Sequence, residues 1–294
     1  MPATVPSSES EPASARDTRS AGRDLPLAVA SGLALAAVFV GTLLWNPYAF
    51  LTFFTALVLL ALLELDVAVR RRELRPATPV AVGAGVVMVY GAYTSGPSAQ
   101  SLGLVLLVFG AMAWTLLDAS TGDDGHRRPR HVTASLGATC LMTLWVPFLG
   151  SFVGLLLARE SGVWYLLSIV ALTVACDVGG YAFGSRFGRH KLAPRISPGK
   201  TWEGLAGGLL AVWVLAALVA TRLPGFDLVA ALALGSAVVV AATLGDLAES
   251  LVKRDLGLKD LGKVLPGHGG IMDRADGIIF VLPAAHFFLV ALGL

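Results

Sequence analysis

Long apolar stretches recur along this chain at the length a lipid bilayer demands. A helix crosses the hydrocarbon core of a membrane in roughly 20 predominantly apolar residues. Segments 26–45, 47–69, 77–94, 101–119, 132–157, 161–183, 204–221, 227–249 and 276–294 have that length and character. Backbone groups in lipid must be satisfied within their own segment, so each reads as a helix. The fifth contains Pro147 and is expected to kink or break there. With 55% hydrophobic and only 14% charged residues, the expectation is an all-α, polytopic membrane protein of nine transmembrane helices with a cytoplasm-facing polar site. Residues 1–25, rich in Ser, Ala, Pro, Glu and Arg, read as a disordered tail. Residues 26–294 read as one integral-membrane domain; the first apolar run is too long for a secretory leader and more follow at once.

The basic residues support this segmentation. Arg16, Arg19 and Arg23 precede the first span, Arg70, Arg71, Arg72 and Arg75 follow the second, and Arg127, Arg128 and Arg130 follow the fourth. Arg186, Arg189, Lys191, Arg195 and Lys200 follow the sixth, and Lys253, Arg254, Lys259, Lys263 and Arg274 follow the eighth. Twenty of 22 cations thus fall on one side, leaving Arg159 and Arg222 for the other. The positive-inside rule puts the N-terminus and these loops in the cytoplasm and the C-terminus outside, which suits a bacterial plasma membrane. A net charge of +2 gives no reason to expect a nucleic-acid partner. Cys140 and Cys176 lie in apolar segments without CxxC or histidine spacing and read as small core residues. His126, His131, His190 and His286 lack ligand spacing and read as structural or surface groups.

Two polar constellations interrupt the apolar chain. The second, Ser250 to Asp276, packs Lys253, Arg254, Lys259, Lys263 and Arg274 among Asp255, Asp260, Asp273 and Asp276, around Pro266-Gly267-His268-Gly269-Gly270. Such a run must lie where water and a charged ligand reach it. Its alternating signs suit a nucleotide bound through a metal, since carboxylates hold a divalent cation while Lys and Arg hold phosphate oxygens. An ordinary positive cytoplasmic loop is the plainer reading of the charges alone.

The first constellation runs from Asp177 to Gly204. Asp177, Tyr181 and Gly184 fall at i, i+4 and i+7 and share a helix face. Gly179, Gly180, Gly184 and Gly188 permit close approach of either a neighbouring helix or a ligand. Ser197-Pro198-Gly199-Lys200-Thr201 invites comparison with a phosphate-binding P-loop, which fails because Pro194 stands where the first glycine belongs and no preceding strand is expected. What survives is a turn shaped by Pro198 and Gly199, a point charge at Lys200, and a helix beginning at Thr201-Trp202-Glu203.

Carboxylates inside apolar spans need a partner, a cavity or an ion. Asp246, Glu249, Ser250 and Lys253 lie at i, i+3, i+4 and i+7 on one helix face, where Glu249 is either an ion-pair partner of Lys253 or a ligand contact. Asp246, a turn deeper, has no cation near it in sequence, and a bound metal would supply one. Glu64 and Asp66 lie beside Arg70 and read as interfacial pairs, with a site role the lesser reading.

The pattern Ser250, Lys253-Arg254, Lys259-Asp260, Pro266, His268-Gly269-Gly270, Asp273-Arg274 and Asp276 closely resembles the signature of the phosphatidate cytidylyltransferases (CDP-diacylglycerol synthases). Ala275 replaces a larger apolar residue or Thr. Asp177, Tyr181, Gly184, Ser197, Pro198, Lys200, Thr201, Glu203 and Gly204 resemble the same family's second conserved segment, with Gly180 where Ala is usual. The resemblance covers residues 177–276; the first five spans offer only hydropathy. It implies transfer of a cytidylyl group from CTP to phosphatidate in the membrane, Mg²⁺ or Mn²⁺ held by Asp246 and Asp273, a second, monovalent cation, and a homodimer. It further implies catalytic roles for Lys253, Arg254, Lys259, Asp260, His268 and Arg274. Substrate contacts are implied for Asp177, Tyr181, Ser197, Lys200, Thr201, Glu203, Glu249, Ser250, Gly269, Gly270 and Asp276. The sixth, eighth and ninth spans, carrying Asp177, Asp246 and Asp276, would build the site. A CTP-dependent lipid-alcohol kinase, a cytidylyltransferase for another lipid phosphate, and an ion-coupled transporter stay open as alternatives, although no inverted repeat is visible.

Overall fold

A computed structural model describes residues 25–121, 131–220, 225–262 and 270–294. Lys263, Pro266, Gly267, His268 and Gly269 lie outside the described residues, as do the N-terminal tail and the basic cluster at Arg127, Arg128 and Arg130.

Helix α1 (Leu25–Trp45) leads into α2 (Pro47–Arg70), whose start is set by Asn46: its side chain accepts from the amides of Tyr48 and Ala49, and Pro47 occupies the first turn. The helices α3 (Thr78–Ser95) and α4 (Pro97–Thr121) follow. They approach closely because Gly91 meets Ala99 and Gly103 meets Met88. The fifth span divides as expected. It comprises α5 (Val132–Thr143), a π-helical turn (Leu144–Phe148) holding Pro147, and α6 (Phe152–Leu157). Proline lacks the amide that would continue the α-ladder, and the widened turn accommodates its ring.

Helix α7 (Gly162–Phe187) is followed by a hairpin of β1 (Lys191–Ala193) and β2 (Ser197–Thr201), then α8 (Trp202–Ala220). The strands are antiparallel, with Lys191 opposite Thr201 and Ala193 opposite Ser197. The expectation of no strand ahead of Lys200 is therefore corrected. Strands this short carry no readable periodicity; the tight turn brings them together, the Ile196 amide reaching the Ala193 carbonyl at 3.1 Å. The P-loop comparison still fails, because Lys200 itself sits in β2. Helix α9 (Leu228–Leu256) starts at Asp227, which accepts from the Ala230 amide, and stops at Gly257 in the left-handed region (φ 70°). Helix α10 (Met272–Ala291) ends the chain.

Among the described residues, seven helical segments are long and apolar enough to cross a membrane: 47–70, 97–118, 132–157, 162–187, 202–219, 228–256 and 272–291. The expected count of nine included two more. Ala30–Trp45 of α1 is apolar but shorter, and the Gly- and Tyr-containing α3 falls outside the seven. A continuous apolar core runs from Leu43 and Phe50 through Leu156, Ile169 and Val238 to Leu289. Outward faces are also apolar, as Leu102, Val105, Phe109 and Leu116 of α4 show, which suits lipid as solvent.

Candidate active site

Helices α7 and α8 lie almost backbone to backbone. A Cβ on Gly179 would sit 2.6 Å from that of Ala211 and 2.8 Å from the Gly207 carbonyl oxygen. One on Gly204 would lie 2.9 Å from the Gly180 carbonyl oxygen. The glycines thus answer both readings: Gly179 serves packing, whereas Gly180 and Gly184 also line a cavity of about 430 Å³. Asp177, Tyr181 and Gly184 share its wall, as their spacing requires, opposite Lys200, Thr201 and Ala242. Cys176, buried and free, borders it too.

The cation missing from the sequence around Asp246 comes from the hairpin. Lys200 Nζ lies 2.8 Å from Asp246 Oδ2. That contact is an ion pair without hydrogen-bond alignment, so Oδ2 keeps an unmet acceptor among the described residues. Lys200 also acts electrostatically on Asp177, as do Asp246 and Arg274.

Two turns further along α9, Lys253 Nζ bridges two carboxylates, Glu249 Oε2 at 2.6 Å and Asp273 Oδ1 at 3.0 Å. The i,i+4 pairing of Glu249 with Lys253 is thus real, and Asp273 from α10 completes it. The other Asp273 oxygen accepts from the Gly270 amide at 2.9 Å, closing the first turn of α10 from within. Asp276, a turn into α10, lies between the two groups, repelled by Asp246 and Asp177 and attracted by Lys253. Close contact of α9 with α10 permits this, since a Cβ on Gly245 would run into the Asp276 carbonyl. The sixth, eighth and ninth expected spans, α7, α9 and α10, therefore do bring Asp177, Asp246 and Asp276 together.

Other expected site residues make their contacts outside these ion pairs. Arg254 is exposed and its Nε donates to the Ile196 carbonyl at 3.3 Å, tying α9 to the hairpin turn. Glu203 accepts from the backbone amides of Arg189 and His190 and from His190 Nδ1 at 2.6 Å, which braces the entry to β1. Thr201 Oγ1 accepts from the Gly204 amide at 3.1 Å, fixing the first turn of α8. Ser197 is half-buried in β2 and Ser250 half-buried on α9, while Lys259 and Asp260 are exposed beyond it. Arg274, exposed at the start of α10, belongs with the cluster instead, because it acts electrostatically on Asp177. His268 and Gly269 lie outside the described residues.

Glu64 and Asp66 do not share Arg70 as a partner. Asp66 pairs with Arg70 at 2.7 Å and accepts from Thr78 Oγ1 at 2.7 Å, as an interfacial residue should. Glu64 does not pair with Arg70. It points to the other side of α2 and accepts from the Met272 amide at 2.9 Å, across 208 residues of sequence. Two residues along a helix turn the side chain by about 200°. A short-range charge count could not see that Glu64 and Asp66 have different neighbours.

Carboxylate outweighs cation here: Asp177, Asp246, Asp276, Glu249, Asp273 and Glu64 face Lys200, Lys253 and Arg274. Among the described residues no three His, Cys, Asp or Glu side chains are already arranged to hold a metal ion. Magnesium does not require such a cage, because it commonly takes one or two carboxylates and completes its shell with water and substrate phosphate. The hard oxygen donors, the negative excess and the unmet Asp246 Oδ2 fit that mode.

A profile of the cytidylyltransferase family matches residues 27–292. The phosphatidate cytidylyltransferase of Mycobacterium leprae (strain TN) is 37% identical over 283 residues, spanning 92% of this chain and 88% of its own. That of Mycobacterium tuberculosis (strain ATCC 25618 / H37Rv) is 37% identical over 298 residues, spanning 99% and 90%. The phosphatidate cytidylyltransferase of Staphylococcus aureus (strain COL) is 32% identical over 259 residues, spanning 86% and 94%. Matched from its first apolar span to its last, with its paired carboxylates and lysines inside the matched region, this integral membrane protein belongs to the cytidylyltransferase family.

Proposed function

We infer that this chain is a phosphatidate cytidylyltransferase, joining the cytidylyl group of CTP to phosphatidate and releasing pyrophosphate, with CDP-diacylglycerol as product. The observation that supports this most directly is the Lys200–Asp246 pair beside the cavity, with the Lys253–Asp273 pair between α9 and α10. Phosphatidate carries a phosphate monoester whose second pKa is about 6, so it is already a nucleophile near neutral pH. One of its oxygens bonds to the α-phosphorus of CTP as the bond to the β-phosphate bridging oxygen breaks. No Ser–His relay is required.

The difficulty is electrostatic, since two polyanions must meet. Lys200, Lys253 and Arg274 supply positive charge at the ends of α8, α9 and α10, where phosphate oxygens would bind. Asp246, with Asp177 and Asp276 near it, and Asp273 would hold a divalent cation, which when bound neutralises phosphate charge during transfer. Asp273 also holds Lys253 and the Gly270 amide in place. The lipid phosphate would arrive sideways past the exposed Val178, Tyr181 and Trp202, while CTP enters from water. The lopsided basic residues favour a cytoplasmic site, with the C-terminus outside. The family resemblance adds a homodimer and a second, monovalent cation to this reading.

Purified protein with labelled CTP and phosphatidate should release pyrophosphate and form CDP-diacylglycerol. EDTA should abolish turnover and added Mg²⁺ restore it. Release of CDP would instead indicate a lipid-alcohol kinase, and turnover unaffected by EDTA would remove the metal from the reading.

A further inference from the structure

We propose that Glu64, on α2 in the half of the chain where sequence offers only hydropathy, is a positioning residue for the site, holding the first turn of α10 where Asp273 can meet Lys253. This rests on the function proposed above.

Glu64 is 6% exposed, and its carboxylate lies against both Gly262 and Gly270. Its Oε2 accepts from the Met272 amide at 2.9 Å, one of the orphan donors at the start of α10. Asp273 is the next residue, and its own Oδ2 takes the Gly270 amide. A Cβ on Gly270 would lie 2.6 Å from Glu64 Oε2 and 2.8 Å from Asp273 Oδ2, so both carboxylates press on the same backbone. On Gly262 a Cβ would collide with the Glu64 carboxylate itself. The two glycines therefore clear space for one side chain, and they stand at either end of the histidine-glycine segment.

A second tether acts in the same sense. Arg72, just beyond α2, donates to the Asp255 carbonyl near the end of α9. The end of α2 thus holds the last turn of α9 and the first turn of α10, the two elements whose Lys253 and Asp273 must coincide. Glu64 Oε1 is buried with no hydrogen-bond partner among the described residues.

The test compares E64A, E64Q and E64D with wild type in detergent. Two readouts are used: steady-state kinetics with CTP and phosphatidate, and amide hydrogen exchange in peptides covering 270–275. E64A should lower kcat at least about tenfold with KM for CTP changed little, as expected when a hydrogen bond to a charged acceptor that positions the site is lost. Exchange at 270–275 should quicken to a similar degree while α9 stays protected. E64Q retains an acceptor oxygen and should recover most of both. G262A should mimic E64A in the wild-type background and cost nothing further when added to E64A, because the space has been vacated. Equal defects in E64A and E64Q, unchanged exchange in E64A, or the same G262A cost in both backgrounds would overturn the proposal. Should E64A not survive solubilisation, E64D, which withdraws the carboxylate by one methylene, replaces it in each arm. A wild-type protein inactive on CTP and phosphatidate would sink the proposed function instead, with the exchange measurements still deciding Glu64.

Discussion

Replacing Lys253 by methionine isolates the ion-pair bridge between α9 and α10. The side chain of Glu249 is 2% exposed and that of Asp273 10%, whereas Lys253 is 17% exposed, so the ammonium is the principal counter-charge for two largely dehydrated carboxylates. Methionine preserves much of the apolar stem and removes the charge together with its N–H donors. Asp273 would keep the Gly270 amide, but Glu249 would lose the ammonium and be left beside the Asp273 carboxylate. Removing one partner of a buried pair costs about 3–5 kcal/mol, against about 0–1 kcal/mol for a surface pair. At roughly 2 °C per kcal/mol, K253M should lower the melting temperature of detergent-solubilised protein by at least about 6 °C. Adding E249Q removes the second acid beside Asp273 and should restore more than half of that loss, although turnover should stay low in both variants. A K253M shift of about 2 °C or less, or strictly additive losses in the double variant, would refute the claim that this lysine is held as a buried counter-ion.

Other outcomes follow from the same geometry. Asp246→Asn and Asp273→Asn should each reduce turnover at least about a hundredfold, the scale of lost transition-state electrostatics, while the protein still inserts and elutes from gel filtration as wild type does. Near-wild-type rates in either would remove that residue from the site. Gly179→Ala forces a methyl against Ala211 and the Gly207 carbonyl and should cost about 1–3 kcal/mol, read as a lower melting temperature. Gly83→Ala, with nothing within 4 Å, should be neutral or slightly stabilising in the same assay. Asp66→Asn weakens the Arg70 and Thr78 contacts and should cost about 1–2 kcal/mol of stability with kcat unchanged, in contrast to Glu64 two residues earlier.

What sequence alone determined here is what depends on local composition and short spacing. Bilayer thickness sets the length of an apolar run, so seven of the nine expected spans could be placed to within a few residues, and the break at Pro147 followed from one missing amide. Glu249 with Lys253, and Asp177 with Tyr181 and Gly184, were legible because one helix turn fixes their relation. The polar signature identified the region by residue identity, without saying which charges meet. Only the tertiary structure decided that Lys200 serves Asp246, that Asp273 shares Lys253, and that Glu64 reaches Met272 from the other end of the chain. Such contacts depend on how each helix is rotated about its axis and how deeply its glycines let it approach a neighbour. That rotation is the outcome of packing the whole bundle, and no window of sequence shorter than the bundle contains it.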